Sequence, residues 1–168
     1  MGLNVGTSLV EDNYIETAKK VLEKADHLGK QIILPCDIVV ADAFSRDANT
    51  QLVTSTSIPD GWMGLDQGPK TTEEQAGVLS DCMTIIMNGP MGVFEFEKFS
   101  KGTFDLIKIL AYRAKAGAVT IIGGGDTVSA CESSGYASDM SHVSTGGGAS
   151  LELLEGKTLP GVAALADQ

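Results

Sequence analysis

The chain has 168 residues, of which 43% are hydrophobic and 20% charged, a balance that suits one globular domain with a buried core. Its 12 basic and 22 acidic residues give a formal charge of −10, which argues against nucleic acid or an anionic membrane surface as the main partner. No apolar run reaches the ~20 residues of a membrane span, and the first residues carry neither a leader pattern nor the Ser or Thr of a myristoylation signal at Gly6.

Along the chain, Ser8 and Glu11 have capping-box spacing, and the apolar residues Tyr14, Ala18, Val21, Leu22, Ala25 and Leu28 then form a helical stripe ended by Gly29. His27 falls near the end of that helix, where an imidazolium suits the dipole. Residues 31–34 and 38–41 are short continuous apolar runs, the pattern of strands covered on both faces. Residues 45–66 are rich in Thr, Ser, Asp and Gly and are expected to form an excursion or hairpin, with Trp62 packed in a Pro-Asp-Gly turn region. Thr71 and Glu74 repeat the capping-box spacing. A strand is expected at 84–87, then a helix from 103 to 116 with Leu106, Ile107, Leu110 and Ala114 on one face. Arg113 and Lys115 lie in its last turn and Gly117 closes it. A strand at 118–122 follows. Strand and helix alternate, the sign of an α/β layered domain. The cysteines Cys36, Cys82 and Cys131 have no zinc or CxxC spacing and are each expected to be small, buried apolar residues of a reduced protein.

Three loops carry candidate chemistry. The strand at 118–122 runs into Gly123, Gly124 and Gly125, then Asp126 and Thr127. Glycines there let backbone N–H groups approach phosphate oxygens at a helix N-terminus, and Asp126 either holds Mg²⁺ between phosphates or merely caps the helix. A second run, Gly146, Gly147 and Gly148, again feeds a helix start. Two such mouths in one small domain favour phosphoryl chemistry over a plain binding module. The third is the turn after Asn88, through Pro90 to Glu95. Glu95 is either a ligand for sugar hydroxyls or a solvent-facing residue between Phe94 and Phe96. His142, just before the second glycine run, is read as structural rather than as a general base.

Four segments in this order, Gly64-Leu-Asp-Gln-Gly-Pro-Lys-Thr71, Asn88-Gly-Pro-Met-Gly-Val-Phe-Glu95, Ile121-Ile-Gly-Gly-Gly-Asp-Thr127 and Ser141-His-Val-Ser-Thr-Gly-Gly-Gly-Ala-Ser-Leu-Glu-Leu-Leu-Glu-Gly156, resemble the carboxy-terminal domain of phosphoglycerate kinase. The resemblance extends over essentially the whole chain. It implies a Rossmann-like three-layer α/β/α sandwich with a mainly parallel sheet, present incompletely over residues 1–158, and a tail at 159–168 that packs toward an amino-terminal domain. It implies binding of ATP or ADP with Mg²⁺: Gly64 and Leu65 lining the adenine slot with Asn88 and Pro90 nearby, and Glu95 on the ribose. It also implies Gly123, Gly124, Gly125, Asp126 and Thr127 at the phosphates, with Asp126 on Mg²⁺. Gly146, Gly147 and Gly148 would aim N–H donors at the phosphoryl group in transit. The implied reaction moves that group between 1,3-bisphosphoglycerate and ADP, giving 3-phosphoglycerate and ATP, in the cytoplasm. It asks for in-line positioning and charge neutralisation rather than a nucleophilic triad. The family's amino-terminal domain, with its basic phosphoglycerate cluster, and its Gly-Gly-Ala-Lys turn have no counterpart in the sequence. The resemblance therefore implies a chain inactive alone, with an open sheet edge.

Overall fold

A computed structural model describes residues 3–165. Two three-stranded sheets organise it. In sheet A, with order β2-β1-β3, β1 (Asp37–Ala41) pairs antiparallel with both β2 (Thr50–Thr54) and β3 (Met63–Gln67). In sheet B, with order β4-β5-β6, β4 (Thr84–Asn88), β5 (Val119–Gly123) and β6 (His142–Ser144) run parallel. The α/β class is as expected, with the parallel pairing confined to sheet B. The excursion or hairpin expected within 45–66 is an excursion: β2 pairs back onto β1 and β3 pairs on the other side of β1, so β2 and β3 are not bonded to each other.

The helices are α1 (Ile15–His27), α2 (Pro69–Leu79), α3 (Lys101–Lys115), α4 (Gly125–Ser134), α5 (Gly147–Leu154) and α6 (Pro160–Ala163). Helix α3 lies across one face of sheet B. Its Leu106, Ile107 and Leu110 meet Ile85 and Met87 of β4, Ile122 of β5 and Val128, Ala130 and Cys131 of α4 in the main core. A second, smaller core joins Ala41, Ala48, Leu65 and Phe99 between sheet A and the loop after β4. The opposite face of sheet B is bare. Ile86 and Val119 are 41% and 47% exposed, and the leucines of α5 are exposed as well.

Four expectations are corrected. Residues 31–34 form no strand, and Ile32 and Leu34 stay exposed. An apolar run becomes a strand only where a neighbour completes its hydrogen bonds, and none lies beside it. Ser8 does not cap α1, which is entered through a 3-10 turn at Asp12–Tyr14; its hydroxyl accepts the Gly64 amide at 2.9 Å and ties the early chain to β3. Thr71 lies inside α2 rather than at its start, because Pro69 occupies the first turn with Gly68 as cap. Among the cysteines only Cys131 is buried; Cys36 is exposed and Cys82 half-buried.

Caps for the two central helices come instead from aspartates on sheet A. The Asp37 carboxylate accepts the amides of Lys70 and Thr71 at 3.0 and 2.8 Å and the Thr71 hydroxyl at 2.7 Å. It thereby satisfies the open N–H groups of α2. Asp66 accepts the amides of Gly102, at the start of α3, and Gln67 at 2.8 and 2.9 Å. Both aspartates are buried, and together they pin the helices that flank the loops described next.

Candidate functional site

All three glycine-bearing loops leave the carboxyl ends of the parallel strands, the edge at which α/β sheets place ligands. β5 ends at Gly123, and Gly124 turns the chain with φ 92° into α4. That left-handed backbone is one that only glycine adopts cheaply. β6 ends at Ser144, whose carbonyl accepts the Gly124 amide at 3.2 Å, and the chain enters α5 through Gly146. The two glycine runs touch: a methyl group added to Gly147 would fall 2.6 Å from the Gly124 Cα. Asn88, at the end of β4, lies against the same junction, 3.2 Å from where a Gly124 side chain would begin.

Two helix N-termini therefore open side by side, and neither has a side-chain cap. Gly125, Asp126 and Thr127 form the first turn of α4, where N–H groups have no intrahelical acceptor. The Asp126 side chain is exposed and makes no hydrogen bond among those of the described residues. It makes no capping bond to α4, whose N-cap is Gly124. Thr127 is buried, and its hydroxyl accepts the Gly89 amide at 2.7 Å, locking the turn after β4 onto α4. In the second run the amides of Gly146 and Gly147 are already engaged, by the Ser144 hydroxyl at 3.2 Å and the Thr145 carbonyl at 2.9 Å. The donors left at the mouth of α5 are those of Gly148 and Ala149, and Ala149 was not singled out in the sequence.

The remaining candidates line two adjoining open cavities. One, of about 460 Å³, is walled by Phe44, Pro90, Phe94, Glu95, Phe96 and Asp126. Glu95 and Asp126 thus share a single space, 31 positions apart in sequence, with both carboxylates exposed. The other, of about 620 Å³, is lined by Gly64, Leu65, Asp66, Pro90 and Met91 among others. Pro90, Gly92 and Val93 belong to both walls, so the turn after β4 separates the two spaces. Phe44 is the residue that sequence reading missed. It is 63% exposed, its ring centre lies 5.4 Å from that of Phe96, and Arg46 stacks over Phe96 in turn. Nothing in its sequence pattern singled it out, since its exposure is a property of the fold.

Comparisons with known proteins bear on the family and the fold. The family model described as phosphoglycerate kinase matches residues 1–157. The chain belongs to the phosphoglycerate kinase family. It is 57% identical over 166 residues to a protein named phosphoglycerate kinase from Synechococcus sp., covering 99% of this chain and 41% of that one. To its counterpart from Prochlorococcus marinus it is 58% identical over 164 residues, covering 98% and 41%. Among solved structures, that of phosphoglycerate kinase from Coxiella burnetii superposes with a TM-score of 0.89 at 40% identity, over 96% of this chain and 41% of that chain. The enzyme from Pyrococcus horikoshii superposes with a TM-score of 0.69 at 28% identity, over 98% and 40%. The chain thus spans about two-fifths of the length of the family members it matches. No helix among the described residues is long and apolar enough to cross a membrane.

Proposed function

We propose that the chain is the nucleotide-holding part of a phosphoglycerate kinase, the enzyme that passes a phosphoryl group between 1,3-bisphosphoglycerate and ADP to give 3-phosphoglycerate and ATP. The observation that carries this reading is the junction of α4 and α5, two uncapped helix N-termini in contact beside a cavity shared by Glu95 and Asp126. Helix N-termini present oriented N–H donors and a favourable dipole to phosphate without side-chain reorganisation. Glu95 is placed to accept hydrogen bonds from ribose hydroxyls. Gly64, Leu65 and Pro90 offer an apolar edge for the base, and Phe44 belongs to the wall of the adjoining cavity. The donors of Gly125 to Thr127 face the nucleotide phosphates, and those of Gly148 and Ala149 face the group in transit.

Mg²⁺ fits this site as a companion of the nucleotide rather than as an ion caged by protein. The described residues hold no cluster of three metal-binding side chains, whereas a single unpaired carboxylate, Asp126, suits an ion that keeps waters and phosphate oxygens as its other ligands. Bound there, the ion supplies neutralisation of phosphate charge. The chain's own part is to orient the nucleotide and to place N–H donors along the path of transfer. Among the described residues no lysine or arginine lines the cavity of Glu95 and Asp126; we assign the phosphoglycerate to the part of such an enzyme that this chain, two-fifths of its relatives' length, does not span. On this reading the chain is inactive alone.

Calorimetric titration with MgADP tests the reading. Saturable binding, weakened roughly tenfold or more in Asp126→Ala, a loss of about 1.4 kcal/mol, supports it; a folded chain that binds equally well with and without the carboxylate overturns the role of Asp126. A second reading, a nucleotide-binding module with no catalytic role, draws on the chain's two-fifths span of its relatives. Phosphoryl transfer restored by adding the complementary part of a relative would exclude it.

A further inference from the structure

The turn after β4 hangs from three other elements. Gly89 donates its amide to the Thr127 hydroxyl of α4 at 2.7 Å, and Val93 donates to the Leu65 carbonyl of β3 at 2.9 Å. Between them Pro90 has no N–H to offer. The amides of Met91 and Gly92 both go to the Thr103 hydroxyl of α3, at 3.0 and 3.3 Å. The donors of Gly89, Met91, Gly92 and Val93 are thus all received outside the turn, and its shape depends on the groups that receive them.

Thr103 receives two of the four. It is the third residue of α3 and is 0% exposed. A threonine hydroxyl has two acceptor lone pairs, and the turn takes both. The backbone that carries it is held for separate reasons. The amide of Gly102, just before it, is bound by Asp66 at 2.8 Å, and Ile107 and Leu110, further along the same helix, lie in the main core. Thr103 carries the rigidity of that core to the turn.

What it holds is a partition. Pro90, Gly92 and Val93 belong to the walls of both cavities, whereas Thr103 lines neither. We propose that Thr103 is a positioning residue for the nucleoside end of the ligand. By fixing Met91 and Gly92 it sets the spacing between the apolar edge of Gly64, Leu65 and Pro90 and the carboxylate of Glu95. The ligand is that of the nucleotide reading above, on which this role rests; the anchor itself rests only on the hydrogen bonds of the turn. The phosphate end is separate, because the donors of Gly125 to Thr127 and of Gly148 and Ala149 belong to α4 and α5. Thr103 governs how tightly base and ribose are held and leaves the phosphates to those helices.

Thr103→Val keeps the shape of the side chain and removes the acceptor, and Thr103→Ser keeps the acceptor. Both are compared with the wild type and with Ile107→Ala, which loosens the packing of the same helix but leaves the Thr103 hydroxyl in place. Amide exchange is followed by NMR on the free chain. Calorimetric titration is run with MgADP and with magnesium pyrophosphate, which has phosphates but neither base nor ribose. In Thr103→Val the amides of Met91 and Gly92 are expected to exchange on the order of tenfold faster relative to those of β5. MgADP is expected to bind about tenfold more weakly, the scale of one lost buried hydrogen bond, and pyrophosphate to change by less than about twofold. Thr103→Ser restores both, and Ile107→Ala leaves the ratio of the two affinities at its wild-type value. Unchanged exchange in Thr103→Val overturns the anchor. Affinities for MgADP and pyrophosphate that fall together, or that both stay, overturn the positioning role. A wild type that binds no MgADP overturns the nucleotide reading and this role with it, while the exchange rates still decide whether Thr103 holds the turn. Should Thr103→Val not fold, Thr103→Cys, whose sulfur is a weak acceptor, is read in the same way.

Discussion

At the scale of single residues, the two sheet-A aspartates show how the helices beside the glycine loops are held. Gly68 is glycine because of Asp37: a methyl group there would fall 2.2 Å from the Asp37 carboxyl carbon. Gly68→Ala must displace the carboxylate from the amides it caps. It is expected to lower stability by about 1–3 kcal/mol, the usual cost of forcing extra volume into a packed site, as read from the denaturant midpoint at unchanged m-value. Asp37→Asn replaces an all-acceptor group by one bearing an NH₂ among N–H donors. A loss of about 2–3 kcal/mol near neutral pH is expected, in the range of hydrogen bonds to a charged group. The difference between variant and wild type should shrink as pH falls through the folded titration of Asp37, where the wild type loses its own advantage.

Neither cap could be read from the sequence. Asp37 reaches Thr71 across 34 positions and Asp66 reaches Gly102 across 36, while a capping box is recognised within four. The hydroxyls that did match the local pattern, Ser8 and Thr71, serve long-range bonds instead. The glycine loops were legible for the opposite reason. A strand–helix junction is set by local backbone geometry, and the motif carries that geometry with it. Phe44 and Ala149 were not legible, because an unpatterned aromatic and a residue past the glycines come beside the candidate site only when distant strands bring the loops together.

At the scale of elements, the contrast between α1 and α3 separates what the sequence can show from what it cannot. Both have a clear apolar stripe, and both were expected from it. α3 buries Leu106, Ile107, Leu110 and Ala111, whereas α1 buries nothing. Periodicity reveals that a face is apolar; it does not reveal whether anything in the chain covers it. Ile107→Ala, at a fully buried position, is therefore expected to cost about 2–5 kcal/mol. Val21→Ala, in α1 and 52% exposed, should stay within about 0.5 kcal/mol. Amide exchange should show the same division, with α3 protected up to global unfolding and α1 opening locally. Equal protection of the two helices would mean that α1 is docked.

At the scale of the whole molecule, the surface is too large for the chain. It exposes 10584 Å², where a compact monomer of 168 residues would expose about 7900 Å². The excess is the size of a substantial protein–protein interface. It has an identifiable location: the bare face of sheet B with Ile86 and Val119, the free edge of β4, the apolar stripe of α1 with Ile32 and Leu34, and the exposed Leu151, Leu153 and Leu154 of α5. Beside β4 lies an apolar cavity of about 280 Å³, lined by Ile33, Val78, Leu79 and Ile85 among others. Unpaired strand edges flanked by apolar surface invite association. Purified alone, the chain is expected to self-associate, with an unfolding midpoint that rises with protein concentration. Sedimentation at several concentrations, paired with thermal melts, checks this. A clean monomer with a sharp, concentration-independent transition would show that the chain closes this surface by itself. In that case α1 and α5 must move onto sheet B, and the junction of α4 and α5 would move with them.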